Sequence, residues 1–314
     1  MTRSRPFQQV DVFTAVPYRG NPLAVVLDGD GLDTAAMQRF AQWTNLSETT
    51  FVLPPTDPSA DYRVRIFTPG CELPFAGHPT LGTCHAWLRA GGKPKSPGRV
   101  MQQCEAGLVP IRREAERLAF AAPTMRRSSP SPSVLARVAA ALKLQARQVL
   151  AAQSLDNGTV WLGLLLDDID TVLALTPDHR ALKALGHKIG VAAVPSATAA
   201  TALIGRSNRE ARAFAGSTQE GSVATSEATV GLEVRAFASC IGVEEDPVTG
   251  SLNASLAQWL IEDGHVPANY VAGQGQCLGR DGKVHIARDA DGQGQGQVWV
   301  GGDVVTCIDG SVTL

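Results

Sequence analysis

The chain has 314 residues, about two domains' worth at roughly 150 residues per domain. Hydrophobic residues make up 44% and charged residues 18%, which excludes a disordered chain and fits a sizeable core. The 28 basic residues nearly balance 30 acidic ones for a net charge of -2, and no Lys/Arg run exceeds a pair, so no nucleic-acid footprint is present. No apolar run approaches the roughly 18 residues of a membrane span. MTRSRPFQQVDVF lacks the apolar stretch of a secretory signal. The chain reads as soluble and cytoplasmic.

The first segment alternates, with Val10, Val12 and Thr14 against Asp11 and Phe13. A turn cluster follows at Tyr18-Arg19-Gly20-Asn21-Pro22, then an apolar run from Leu23 to Leu27, so strand, turn and strand are expected. From Asp33 the spacing turns helical, with Ala36, Met37, Phe40 and Ala41 on one face. Asp33 suits the N-cap, and the helix should end near Thr44-Asn45. Thr49–Leu53 and Tyr62–Phe67 read as strands.

Two later helices lack a polar face. One is expected over Thr80–Ala90, after Gly77-His78-Pro79 and before Gly91-Gly92. The other is expected over Ser251–Asp263, after Thr249-Gly250 and before Gly264. Helices that are apolar all round are usually buried, so each should lie inside a sheet. Thr124–Ser133, rich in Ser, Pro and Arg, is the best linker candidate. Arg280–Val298 reads as a hairpin with the glycine-rich tip DADGQGQGQ.

An internal repeat is visible. Val64-Arg65-Ile66-Phe67-Thr68 matches Val234-Arg235-Ala236-Phe237-Ala238, 170 residues on. Trp87-Leu88 matches Trp259-Leu260 at nearly the same offset. Each half reads strand, loop, buried helix, terminal glycine, which suggests two pseudo-symmetric α+β units facing a cleft.

A helix start presents unsatisfied N–H groups and a partial positive charge, so it binds anions without Lys or Arg. Two matched starts facing one cleft predict a small ligand with a carboxylate or a developing enolate. Glu48, His78 and Asp246 lie beside these starts and are side chains of acid–base chemistry. Their plainer readings are a surface turn, a helix-entry cap and an Asx-turn before Pro247.

The segments Asn45–Phe51, Glu72–Thr83 and Glu245–Ser251 resemble the signatures of the phenazine-biosynthesis PhzF-like isomerase family. Phe13-Thr14, Gly20–Val26 and Val298–Gly302 also fit its pattern, so the resemblance covers essentially the whole chain. It implies the diaminopimelate-epimerase fold: two similar domains, each a β-barrel-like sheet around a central helix. The expected division is 1–125 and 133–314, with the last strand returning to the first domain. It further implies Glu48 as the acid/base, with His78, Asp246 and Ser251 as the other polar catalytic positions. Gly77, Pro79, Thr249 and Gly250 are implied around the substrate. No metal or organic cofactor is expected, the partner is a small anionic metabolite, and a homodimer is common in the family.

The six cysteines (71, 84, 104, 240, 277 and 307) form no CxxC pair and read as small buried or half-buried hydrophobes. The related two-thiol racemases carry one cysteine at each helix entrance. The entrances here, taken at Ala76 and Pro247, have none, and Cys71 and Cys240 lie several residues upstream. A one-base proton shift therefore fits better. Two other readings stay open: a metabolite-binding protein without turnover, and a hydrolase using Ser251, which lacks a GxSxG elbow.

Overall fold

The computed structural model describes residues 2–114, 117–195, 230–290 and 296–314. The first half contributes β1 (Ser4–Val12), β2 (Asn21–Val26), α1 (Thr34–Thr44), β3 (Glu48–Leu53), β4 (Tyr62–Phe67), β5 (Glu72–Leu73), α2 (Gly77–Arg89), β6 (Arg99–Cys104), β7 (Gly107–Glu114) and β8 (Arg117–Ala121). Then come β9 (Arg126–Ser128), α3 (Pro132–Ala141), β10 (Val149–Asp156), β11 (Val160–Leu166), α4 (Ile169–Ala174), α5 (His179–Leu185) and β12 (Lys188–Ala193). After the segment outside the described residues follow β13 (Val230–Ala238), β14 (Val243–Asp246), α6 (Gly250–Glu262), β15 (Asn269–Gln274), β16 (Gly282–Arg288), β17 (Val298–Gly302) and β18 (Val304–Thr313).

Hydrogen bonding links the strands into one continuous sheet. From one edge it runs β18, β1, β2, β3, β4, β6, β7, β8, and from there β17, β16, β15, β13, β12, β11, β10, β9. The second run read backwards repeats the first. The parallel pairs β2–β3 and β4–β6 correspond to β11–β12 and β13–β15, and the other neighbours in both runs are antiparallel. α2 packs on β1, β2, β3 and β8, and α6 packs on β10, β11, β16 and β17. This is the mixed α+β architecture expected, with a helix inside each half of the sheet.

The repeated Val-Arg-x-Phe motif has a physical basis. Arg65 on β4 pairs bidentately with Glu72 at 2.6 Å and lies 5.1 Å from the Phe67 ring centroid. Arg235 on β13 pairs bidentately with Glu245 at 2.8 and 2.9 Å and lies 5.1 Å from the Phe237 ring. In both halves the guanidinium stacks on an aromatic face and braces the turn leading to the central helix.

Several sequence expectations need correcting. The central helices start earlier than Thr80 and Ser251, at Gly77 and Gly250. Gly and Pro read as breakers, yet in a first turn the N–H groups have no helical partner, so Pro79 is tolerated there. Part of the expected linker is structured: Arg126–Ser128 forms β9 on the edge of β10, and Ser131 caps α3. β1 is not alternately buried, since Asp11 is buried between Val10 and Val12 and accepts the Gly20 N–H at 2.9 Å. Cys71 and Cys277 are exposed rather than buried. β16 and β17 do form the expected hairpin ladder, while residues 291–295 of its glycine-rich tip lie outside the described residues. No helix among the described residues is long and apolar enough to cross a membrane.

Candidate active site at the junction of two helix starts

The two central helices meet end to end at their N-termini. A Cβ on Gly250 would lie 3.1 Å from Gly77 Cα and 3.2 Å from the His78 N. A Cβ on Gly77 would lie 3.2 Å from Gly250 Cα and 2.6 Å from Phe120 Cζ. Only glycine at both positions lets the backbones come this close. Neither start carries a side-chain cap. The partial positive ends of two helices therefore converge on one spot. Their N-cap residues are Ala76 and Thr249, so Thr249, not Pro247, is the true counterpart of Ala76. Neither residue is cysteine.

Glu48 opens β3, in register with Leu23 of β2. Its Oε2 lies 3.5 Å from His78 Nε2, and both side chains are largely buried. Neither atom has a hydrogen-bond partner among the described residues. Burial, helped by the nearby Asp246 charge and opposed by Lys188, raises the Glu48 pKa from 4.5 to about 8. Burial also lowers the His78 imidazole to about 3, with the Pro22 carbonyl a smaller opposing influence. The contact is thus between a neutral imidazole and a carboxyl group, not an ion pair, at neutral pH.

Asp246 closes β14 beside them. Its Oδ1 accepts Asn21 Nδ2 at 2.9 Å and its Oδ2 accepts Thr249 Oγ1 at 2.7 Å. Burial raises its pKa to about 6, while those two hydrogen bonds and Lys188 hold it back. Asn21 also donates to the Val248 carbonyl at 2.9 Å, which uses its second N–H. Its 3.4 Å approach to His78 Nδ1 is a third, weaker contact. The fully buried Asn21 thus ties the His78 side to the Asp246 side.

The entrance to α6 is braced by Gln274. Its Oε1 accepts the Thr249 N–H at 3.1 Å and Asn253 Nδ2 at 2.9 Å. Its Nε2 donates to Thr249 Oγ1 and to the Asp246 carbonyl, both at 3.0 Å. Ser251, the second residue of α6, occupies the place that His78 occupies in α2. Its Oγ accepts Trp161 Nε1 at 3.1 Å, and its carbonyl accepts Asn157 Nδ2 at 3.0 Å. Pro79 sits buried in the first turn of α2 and offers no N–H.

Glu48, His78, Asp246, Thr249, Gly77 and Gly250 are therefore brought together, with Ser251 on the next N–H along α6. Sequence reading missed Asn21, Gln274, Trp161 and Lys188, whose positions depend on strand register between distant segments. Among the described residues, no group of three or more His, Cys, Asp or Glu side chains is placed to hold a metal ion. A hollow of about 310 Å³, lined by Arg117, Tyr270, His285 and Trp299 among others, lies elsewhere and contains none of the site residues.

A family model described as phenazine biosynthesis-like protein, PhzC-PhzF, matches residues 10–310. Among curated relatives, antisense-enhancing sequence 1 of Schizosaccharomyces pombe is 33% identical, over 97% of each chain. Trans-2,3-dihydro-3-hydroxyanthranilate isomerase of Pseudomonas fluorescens is 32% identical, over 97% of this chain and 98% of its own. A Bacillus anthracis PhzF-family structure superposes with a TM-score of 0.77 at 22% identity, covering 99% of this chain and 100% of its own, and that likeness shows the fold. The architecture extends to proline-racemase-type proteins. Together with the doubled sheet and the paired helices, these matches place the chain in the PhzC-PhzF family, as a PhzF-like isomerase with the diaminopimelate-epimerase type of fold.

Proposed function

We propose that the chain moves a proton between two carbons of a small carboxylate-bearing substrate, without a cofactor, and that Glu48 is the acid/base. The observation that carries this reading is the Glu48–His78 pair: two buried polar atoms 3.5 Å apart, otherwise unpartnered among the described residues, beside two helix starts without a side-chain cap. Ionised Glu48 takes a proton from a carbon next to an unsaturated or carbonyl system. The electron pair left behind delocalises, and the N–H groups of Gly77, His78, Gly250 and Ser251 face the developing charge as preorganised donors. Protonated Glu48 then returns the proton to a second carbon, so the substrate is rearranged and the enzyme restored. Neutral His78 holds the Glu48 carboxyl or the substrate by hydrogen bonding. Asp246 and Ser251 orient the substrate's polar groups, and Pro79 and Thr249 shape the wall around it.

The substrate of the Pseudomonas fluorescens relative, trans-2,3-dihydro-3-hydroxyanthranilate, is the first candidate. Incubation with it, followed by NMR, should show a rearranged ring product. A compound retained from a metabolite extract but never converted would favour the alternative, a metabolite-binding protein on the same fold. The homodimer rests on family resemblance, and the division into 1–125 and 133–314 rests on that resemblance and the internal repeat, with β18, which pairs with β1, assigned to the first unit. Light scattering in solution tests the assembly.

The pH profile should be distinctive. A base must be ionised, and with a pKa of about 8 only about a tenth of Glu48 is ionised at pH 7. We expect kcat/KM to rise with pH and level off above about 8. His78, neutral down to about 3, should add no limb near neutrality. A profile flat from pH 6 to 9 would remove Glu48 as the base.

A further inference from the structure

The pseudo-symmetry places one residue where Glu48 has its counterpart. Glu48 is the first residue of β3, in parallel register with Leu23 of β2. Lys188 is the first residue of β12, in parallel register with Trp161 of β11. The same place on the two halves of the sheet thus carries a carboxyl group on one side and an ammonium on the other.

The surroundings of Lys188 suit ligand contact. It is half-buried, and its Nζ lies 5.7 Å from the Trp161 ring centroid, near the outer limit of a cation–π contact. The Trp161 indole N–H is committed to Ser251 Oγ at 3.1 Å, so the ring beneath the ammonium is fixed to the start of α6. No carboxylate lies within 4.0 Å of Lys188 Nζ among the described residues, although ten Lys or Arg side chains, among them Lys283 and Arg235, do have such partners. Its charge nonetheless reaches the site, where it lowers the pKa of both Glu48 and Asp246.

We propose that Lys188 anchors an anionic group of the substrate, a carboxylate in the first instance, on the side of the cleft opposite Glu48. Resting on the isomerase reading, this makes Lys188 a specificity-determining residue. The helix starts then face the charge that develops at the reacting carbons, while Lys188 holds charge already present in the ground state. Uniform binding of that kind lowers KM rather than raising kcat.

The test uses binding, so that it stands apart from turnover. Calorimetry with the full chain compares cyclohexene-1-carboxylate with its neutral carboxamide, for the unsubstituted protein, Lys188→Met and Lys188→Arg. We expect the unsubstituted protein to prefer the carboxylate and Lys188→Met to lose that preference roughly 10-fold or more, as for a hydrogen bond to a charged group. Carboxamide binding should stay unchanged, and Lys188→Arg should retain most of the preference. Equal preference in Lys188→Met, or no carboxylate preference and no binding in the unsubstituted protein, would overturn the proposal. Failure of the isomerase reading would appear separately, as selective binding without turnover.

Discussion

Glu48→Gln should fold, lose roughly 10²–10⁴-fold in turnover, and become more stable than the unsubstituted protein at alkaline pH. The rate loss follows because glutamine keeps the shape and the contact with His78 but neither accepts nor returns a proton. The stability change follows from linkage. Glu48 has its pKa raised from 4.5 to about 8 on folding, mainly by burial. Its folded state therefore binds the proton more tightly, and the associated stability is present below pH 4.5 and lost as pH rises through about 8. Above that pH the folded protein carries a buried charge close to the Asp246 carboxylate, which glutamine removes. A shift of this size corresponds to a few kcal/mol, on the order of 1.4 kcal/mol per pKa unit. Thermal melting at pH 6 and pH 9 checks it: the two proteins should differ more at pH 9, with Glu48→Gln melting higher. A variant that melts lower at pH 9 would show that the carboxylate is held by favourable partners instead.

Gly77→Ala and Gly250→Ala should each cost on the order of 10²-fold in kcat/KM, because each forces the two helix starts apart. The new Cβ would lie 3.2 Å from Gly250 Cα in one case and 3.1 Å from Gly77 Cα in the other, against backbone that has no flexible end to move. Gly77→Ala meets a further obstacle at 2.6 Å, the Phe120 ring. Phe120 is fully buried and packs edge-on against Phe75 with centroids 5.6 Å apart, so it cannot swing aside freely. That variant should also lose about 1–3 kcal/mol of stability to overpacking. Adding Phe120→Leu separates the two effects: it should recover part of the melting temperature and little of the activity. Full recovery of activity in the double variant would mean that the ring, not the helix junction, was the sensitive element.

What could be read from the sequence followed local rules. Asp33 accepts the Ala36 N–H at 2.7 Å and Asn45 takes the left-handed conformation at φ 56°, so both ends of α1 were legible from residue type. The repeated Val-Arg-x-Phe carried the duplication because each copy is held by the same ion pair and aromatic stack. The apolar surroundings of both central helices showed in their lack of a polar face. Reading failed where placement depends on distant pairing. The Ser/Pro-rich stretch looked like a linker because its composition is that of one, yet β10 supplies the partner that makes Arg126–Ser128 a strand. Asn21 sat within an apparent turn, but its amide reaches Asp246 across 225 residues of sequence. Lys188 carried no local mark at all, and only the register of β12 against β11 gives it the place in the second half that Glu48 holds in the first.

Deuterium uptake at substrate carbon is the measurement closest to the chemistry. The protein and its Glu48→Gln variant are each incubated with trans-2,3-dihydro-3-hydroxyanthranilate, and separately with a metabolite extract, in deuterated water. Mass spectrometry then follows mass increments that depend on the protein. A proton shift through Glu48, with the carboxyl proton exchanging with solvent before it is returned, predicts carbon-bound deuterium in a rearranged product with the unsubstituted protein, and uptake lowered by at least about 10²-fold with Glu48→Gln. Equal uptake by the two proteins would contradict the assignment of the proton transfer to Glu48.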